Sequence, residues 1–349
     1  MKYIYITALL FSLNISAQDT TEKHLKNLRQ LTFGGDNAEA YFSFDNKKLT
    51  YQRTQPAVGI SCDQIWMYDL KKKDGKQQLI STAKGRTTCS YFMPGNKEIL
   101  YASTHSADTS CPPMPPVPPS AKSKYVWGLF PTFDIYVKNL KTGYLRQLTN
   151  SPAYDAEATV SPKGDKIIFT STRNGDIDLY SMDMDGSHVK QLTNLLGYDG
   201  GAFFSPDGKQ IVFRASRPKT EEETAEYKSL LALNLVAPTN MEIYVMNADG
   251  SGMRQLTTLG KANWAPFFHP SGKKVIFSSN HRSSKESKGY NFQLYMINLD
   301  GTGLEQITHQ SNFNAFPMFS PNGKKLVFSS NRDNGGTRDT NLFIADWVE

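Results

Sequence analysis

The chain has 349 residues and a net charge of +6, from 39 Lys and Arg against 33 Asp and Glu scattered along its length. So mild and dispersed a charge excludes a nucleic-acid binder built on a basic patch. Aromatic residues make up 12%, alongside 25 Gly and 18 Pro, a composition of short strands and turns rather than helices, and the length suits one repeat array as well as two domains.

At the N-terminus, Lys2 and the apolar run Tyr3 to Leu13 end in Ile15-Ser16-Ala17-Gln18, a small-residue exit before polar Asp19-Thr20-Thr21-Glu22. This predicts a signal peptide over residues 1–18, cleaved near Ala17 or Gln18. Losing Lys2 with it takes the charge from +6 to +5. No later stretch approaches the roughly 18 apolar residues of a membrane span, and no Cys follows the leader to take a lipid. The expectation is a soluble, bacterially exported protein, periplasmic or secreted. Cys62, Cys89 and Cys111 are the disulfide candidates; an oxidising compartment favours one bridge among them and leaves one thiol unassigned.

Residues 19–349 read as one array. A phrase recurs six times, clearest as Phe204-Ser205-Pro206-Asp207-Gly208-Lys209-Gln210-Ile211-Val212-Phe213 and Phe319-Ser320-Pro321-Asn322-Gly323-Lys324-Lys325-Leu326-Val327-Phe328. An Ile/Leu-Tyr strand, an Asp-Gly turn and Gln-Leu-Thr follow, as in Ile243-Tyr244, Asp249-Gly250 and Gln255-Leu256-Thr257. Aligned on Ser43, Met93, Ser161, Ser205, His269 and Ser320, the copies start 50, 68, 44, 64 and 51 residues apart. The aromatic that ends the second strand (Tyr51, Tyr101, Phe169, Phe213, Phe277) precedes that of the third (Trp66, Tyr136, Tyr180, Tyr244, Tyr295) by 15, 35, 11, 31 and 18. Subtraction leaves 35, 33, 33, 33 and 33 residues, so nearly all length variation sits in one connection.

Each copy predicts four antiparallel strands, A to D, with A strands near 41, 91, 159, 203, 267 and 318, joined by Gly-containing hairpins. The last copy stops in strand C at Asn341–Trp347, while a spare strand D, Leu28-Arg29-Gln30-Leu31-Thr32, precedes the first. The N-terminal strand therefore completes the last unit, and the fold is an all-β, six-bladed β-propeller with no open edge.

The variable B to C connections share a face with the D to A connections, and long loops on one side of a rigid scaffold are where binding concentrates. In copy two, residues 105–132 carry Cys111-Pro112-Pro113-Met114-Pro115-Pro116-Val117-Pro118-Pro119, a stiff extended segment read as a rigid lid. In copy four, Thr220-Glu221-Glu222-Glu223 forms a capping box, and Tyr227, Leu230, Leu231 and Asn234 predict a short helix packed on the rim.

On that face, register aligns Asn37, Thr87, Asp155, Asp199, Asn263 and Asn314 just before strand A. Glu39 and Glu157 fall two positions on, in a column with Cys89, Gly201, Ala265 and Phe316, and the ends of strand B supply Gln55, His105, Arg173, Arg217, His281 and Arg332. One reading is an acidic and amide ring inside a cationic and imidazole ring, holding a polar ligand or a divalent cation. The other is that Asp and Asn cap turns while Arg pairs with them between blades. Trp264 at the mouth suits stacking on a ligand or blade packing, and His269 replaces a turn Ser. The binding candidates are Asn37, Glu39, His105, Asp155, Glu157, Arg173, Asp199, Arg217, Asn263, Trp264, His281, Asn314 and Arg332. No catalytic residue and no metal ligand is assigned: Gly-x-Ser-x-Gly and His-Glu-x-x-His are missing, and the Asp-x-Asp-Gly runs lack a calcium loop's distal Glu.

The Phe-Ser-Pro-Asp-Gly-Lys phrase with Ile-Tyr-x-Met and Asp-Gly-x-x-x-x-Gln-Leu-Thr resembles the WD40-like (PD40) repeat of TolB-type propellers, over roughly residues 28 to 349. TolB carries an α/β domain ahead of its propeller; here only about ten residues separate leader and first strand, so that domain is not expected. The resemblance implies an exported, monomeric binding or scaffold protein whose loop-rich face meets an envelope protein or a polar small ligand, with no cofactor required. The alternative is a propeller enzyme, a lyase or hydrolase on a saccharide or peptide. It would resemble oligogalacturonate lyase, with His105, His281 and the carboxylates Glu39, Asp155 and Glu157 at the pore mouth.

Overall fold

Each repeat forms a four-stranded antiparallel sheet because its ends are tied by side chains the phrase itself supplies. In the A to B turn, Ser205 Oγ donates to Asp207 at 2.6 Å and accepts the Gln210 backbone N–H at 2.9 Å, and Ser320 accepts from Lys325 in the same way at 2.9 Å. At the other edge, the Thr that ends strand D accepts the strand C backbone N–H: Thr149 from Ile135, Thr193 from Leu179, Thr257 from Ile243 and Thr308 from Leu294, all at 2.8–2.9 Å. These local bonds satisfy backbone donors that a short edge strand would leave unpaired. His269 takes the place of the turn Ser, its Nδ1 lying 2.8 Å from Ser271 Oγ and accepting the Ser271 backbone N–H at 3.2 Å.

The computed structural model describes residues 22–72, 75–284 and 291–349; the predicted signal peptide lies outside the described residues. Six such sheets follow one another as blades of a β-propeller. Strand A lies at Asp36–Phe42, Thr87–Phe92, Asp155–Val160, Asp199–Phe204, Asn263–Phe268 and Asn314–Phe319 in blades 1 to 6. Blade 6 continues through Lys325–Ser330 and Asn341–Trp347, and its fourth strand is Leu25–Gln30, antiparallel to the third. The closing strand reuses the repeat's own device, since Leu342 donates its N–H to Thr32 Oγ1 at 2.9 Å. Apolar strand residues fill the spaces between successive blades, for example Phe169, Phe213, Phe277 and Phe328, all fully buried. Among the described residues no helix is long and apolar enough to cross a membrane.

Two B to C loops rise over the loop-rich face and clasp one another. Trp127–Gly128 from blade 2 pairs antiparallel with Leu235–Val236 from blade 4, and Leu129 donates its N–H to Asn234 O at 2.8 Å. The helix Glu221–Leu231 starts with the predicted capping box, Thr220 Oγ1 accepting from the Glu223 N–H at 3.1 Å. Its Leu230 packs with Ala121 and Leu235, against Val117, Val126 and Ala237. Tyr227 reaches blade 3, donating to Asp176 Oδ1 at 2.5 Å. The Pro-rich segment is pinned at its base by a disulfide, Cys62–Cys111, with Cα atoms 5.7 Å apart; Cys89 is the free thiol.

Candidate functional site

Strand A of every blade carries a β-bulge at the same repeat position, seen as a register shift between Ala38 and Tyr41, Thr88 and Ser90, Ala156 and Thr159, Gly200 and Phe203, Trp264 and Phe267, and Ala315 and Met318. The bulged residues Glu39, Cys89, Glu157, Gly201, Ala265 and Phe316 all have left-handed backbone, φ from +41° to +59°. For the five non-glycines this costs about 1 kcal/mol each, and the flanking ladders hold it. A bulge puts two consecutive side chains on one face, so this column is re-aimed towards the axis. Below it, Tyr41 of blade 1 meets Phe203 of blade 4 across the axis, ring centroids 5.5 Å apart, with Tyr91 and Phe267 packed beside them. This aromatic plug closes the channel.

What remains above the plug is a blind cavity of about 860 Å³. Its walls are aromatic: Trp127 and Tyr125 from the lid, Tyr154, Tyr198, Trp264 and Phe313 from the blades. Trp264 stacks on Phe292 at 4.3 Å, faces Trp127 at 5.4 Å and donates its indole N–H to Pro238 O at 2.9 Å, which locks its ring. The floor is charged. Glu157 pairs with Arg214, accepts from Tyr198 Oη at 2.9 Å, Thr170 Oγ1 at 2.8 Å and the Gly201 N–H at 3.0 Å, and Arg214 also donates to Tyr198 Oη at 2.7 Å. Gly200 and Gly201 make this network fit: a Cβ at Gly200 would lie 2.4 Å from Tyr198 Oη, and one at Gly201 2.4 Å from Arg214 Nη1. Arg214 sits beneath the Trp127 and Tyr198 rings at 5.1 and 5.4 Å.

Glu39 has no such partner. Its Oε2 is enclosed and makes no hydrogen bond, and its remaining exposed surface opens onto the cavity. Burial lifts its carboxyl to about 7; the Cys89 thiol opposes the rise and the Glu157 charge adds to it. The unfolded carboxyl titrates near 4.5, so the folded state binds its proton more tightly. Stability from this site therefore falls as pH rises from 4.5 through 7, and the full cost is present above that. Glu39→Gln is expected to match the parent at pH 4 and to exceed it at pH 8 by at most about 3 kcal/mol in urea denaturation. Equal stability at pH 8 would show that Glu39 ionises freely.

The profile of the TolB beta propeller domain (PD40) matches residues 131–228 and again 227–334, more than half of the chain. The chain belongs to this family. An 89-residue stretch of this PD40 protein is 30% identical to an uncharacterized protein of Agrobacterium fabrum, spanning 26% of this chain and only 28% of that protein's length. Among solved structures it is similar to a candidate TolB from Agrobacterium tumefaciens, with TM-score 0.59 and 19% identity over 90% of this chain and 91% of the other. It is also similar to oligogalacturonate lyase from Vibrio parahaemolyticus, with TM-score 0.53 and 11% identity over 92% and 94%. At these identities the likeness establishes the fold and leaves activity open.

Of the residues singled out from the PD40 repeats, Glu39, Glu157 and Trp264 line the cavity. Asn37, Asp155, Asp199, Asn263 and Asn314 have no exposed surface and sit in the joints at the tops of the blades. Asp155 holds Arg173 at 2.9 and 3.0 Å, Asp199 holds Arg217 at 2.6 Å, Asn263 donates to Met241 O at 2.8 Å, and Asn37 to Thr340 O at 3.1 Å. Asn314 Oδ1 accepts from Arg332 at 2.8 Å, and Arg332 also holds Glu22 at 2.9 Å. His105 and His281 lie on blades 2 and 5, three blades apart, their rings tilted against Tyr136 and Tyr295 at 4.5 Å each, at the place where Arg173 lies over Tyr180 at 4.9 Å. Desolvation lowers both imidazole pKa values. Among the described residues, no three His, Cys, Asp or Glu side chains come together in a metal-binding group.

Two cavity residues escaped the repeat alignment although a signal was present. Arg214 follows Phe213, where the other copies have Gln52, Ala102, Thr170, Ser278 and Ser329; a lone charge in a small or polar column marks an inward position. Tyr198 belongs to the column Asp36, Arg86, Tyr154, Tyr198, Ala262 and Phe313, one residue before the amide ring, and all but Ala262 line the cavity.

Proposed function

We propose that this chain is an exported, monomeric binding module, TolB-like in its propeller, that holds a small polar ligand in the lidded central cavity of its loop-rich face. The observation that carries this reading is the cavity itself: about 860 Å³, closed below by the aromatic plug and roofed by two clasped loops. That volume suits a ligand of metabolite or short-peptide size, with aromatic walls to bury its apolar parts and a few polar groups to orient it. The Cys62–Cys111 disulfide supports export, since such bridges persist in oxidising compartments.

The test is a thermal-shift screen with amino acids, sugars, polyamines and short peptides, repeated on Thr88→Trp, which fills the cavity from blade 2. A ligand at about 100 times its Kd adds about 2.7 kcal/mol, a shift of a few degrees. Ligands that stabilise the parent are expected to lose their effect in the filled variant. Equal shifts in both proteins would place binding elsewhere and sink the proposal. A second reading, catalysis, draws on Glu39 and Glu157 lining one chamber of about 20 Å³ on the cavity floor, with Glu39 titrating near 7, where a general acid or base works best. It requires turnover of a saccharide or peptide that Glu39→Gln abolishes without loss of binding.

A further inference from the structure

We infer that the cavity takes an organic cation, a guanidinium or primary ammonium on a small ligand, seated between the Glu39 carboxylate on the floor and the aromatic wall of Trp127 and Trp264. This rests on the cavity being the binding site and goes further, because it names the charge of what binds.

Charge bookkeeping inside the cavity carries the argument. Among the described residues four carboxylates line it, those of Asp36, Glu39, Asp63 and Glu157. Asp63 is held by Arg86 at 3.1 Å and Glu157 by Arg214. Asp36 lies at the rim, where Arg338 opposes the repulsion from Asp63 and Asp339. Glu39 alone is enclosed at the floor with an oxygen that has no hydrogen-bond partner. The groups around it come from every blade: Tyr41 and Asp63 from its own, Cys89, Glu157 and Arg214 from blades 2 to 4, and apolar Ala265 and Phe316 from blades 5 and 6. Arg214 is the one cation in this set, and it is committed to Glu157 and Tyr198 under two rings. At the floor an anionic ligand would meet Glu39 and Glu157 with Arg214 already committed, and the nearest unpaired cation among the described lining residues, Arg338, lies out at the exposed rim. A cation gains the Glu39 carboxylate inside a chamber walled by electron-rich rings.

Binding such a group favours ionised Glu39 and so releases a proton near neutral pH. A neutral ligand would not, and Oε2 would then be served by a water in the 20 Å³ chamber beneath it, which has room for about one.

Three ligands on one scaffold decide it: N-benzoyl-arginine amide, its neutral isostere N-benzoyl-citrulline amide, and the shorter, anionic N-benzoyl-glutamate amide, followed by tryptophan fluorescence and calorimetry at pH 7. The arginine compound is expected to bind at least about tenfold tighter than the citrulline one, with buffer-dependent heats that report proton release. In Glu39→Gln the two should bind alike and the proton release should vanish. If the neutral or anionic ligand binds the parent as well as the cation does, and Thr88→Trp blocks it, the cation inference falls while the cavity stands. Binding that survives Thr88→Trp overturns the cavity reading and this inference with it. Silence from all three up to about 10 mM overturns the cation inference.

Discussion

Deleting residues 22–32 is expected to abolish the protein's cooperative thermal transition. Those residues supply the fourth strand of blade 6, which pairs along Asn341–Trp347 from Leu25 opposite Trp347 to Gln30 opposite Phe343. Without them, Leu25 and Leu31, 8% and 3% exposed, leave the core, and the N–H of Leu342 loses Thr32. Arg332, whose side chain is 4% exposed, also loses Glu22. Burial pushes the Glu22 carboxyl up, but the hydrogen bond and charge of Arg332 and the backbone N–H groups of His309 and Gln310 outweigh it and hold the pKa below its usual value. Two leucines at about 2 kcal/mol each and several hydrogen bonds at about 1 kcal/mol together rival a domain's total stability of about 5–15 kcal/mol. The exposed edge of Asn341–Trp347 would also recruit strands from other molecules. Circular dichroism melts and size-exclusion chromatography check this; a sigmoidal melt within a few degrees of the parent would show that the ring does not need its closing strand.

Arg214→Met is expected to destabilise the protein by about 3–5 kcal/mol, the range for leaving one partner of a buried ion pair alone. The Arg214 side chain is 9% exposed and that of Glu157 is 11%. Met keeps the apolar stem but strands Glu157 among Tyr198, Thr170 and the Gly201 N–H. The double variant Arg214→Met with Glu157→Gln removes both charges and should recover more than half of the loss, because the amide oxygen still accepts those bonds. Urea denaturation measures both. A single variant within about 1 kcal/mol of the parent would mean that water reaches Glu157 and solvates it.

The propeller was legible because its rules are local. Turn residues, period-two burial and the closing Thr recur in each copy, and the spare strand at Leu28–Thr32 pointed to the ring's closure. The helix was legible for the same reason, through Thr220 and Glu223. The cavity was only partly so. The aligned column of Asn37, Asp155, Asp199, Asn263 and Asn314 marks the top of strand A correctly, yet these side chains face the blade joints. Their predecessors, Asp36, Tyr154, Tyr198 and Phe313, face the axis. Glu39 and Glu157, which the alignment put at the mouth, reach the cavity through a bulge that shifts the phase by one residue, and nothing in Glu, Cys, Gly, Ala and Phe as a set announces a common left-handed backbone.

The sequence by itself determined the number of blades, the way the ring closes, and the face on which length accumulates, because all three follow from repeat spacing and from hydrogen bonds between near neighbours. Only the tertiary structure decided that the channel is a blind cavity and which charges are left over inside it. Tyr41 and Phe203 meet across the axis from positions more than 150 residues apart, and Glu39 is left without a cation because Arg214, about three fifths of the way along the chain, is spent on Glu157. Such pairings depend on how blades sit around an axis, and a period along one chain carries no record of which neighbour across that axis a side chain will meet.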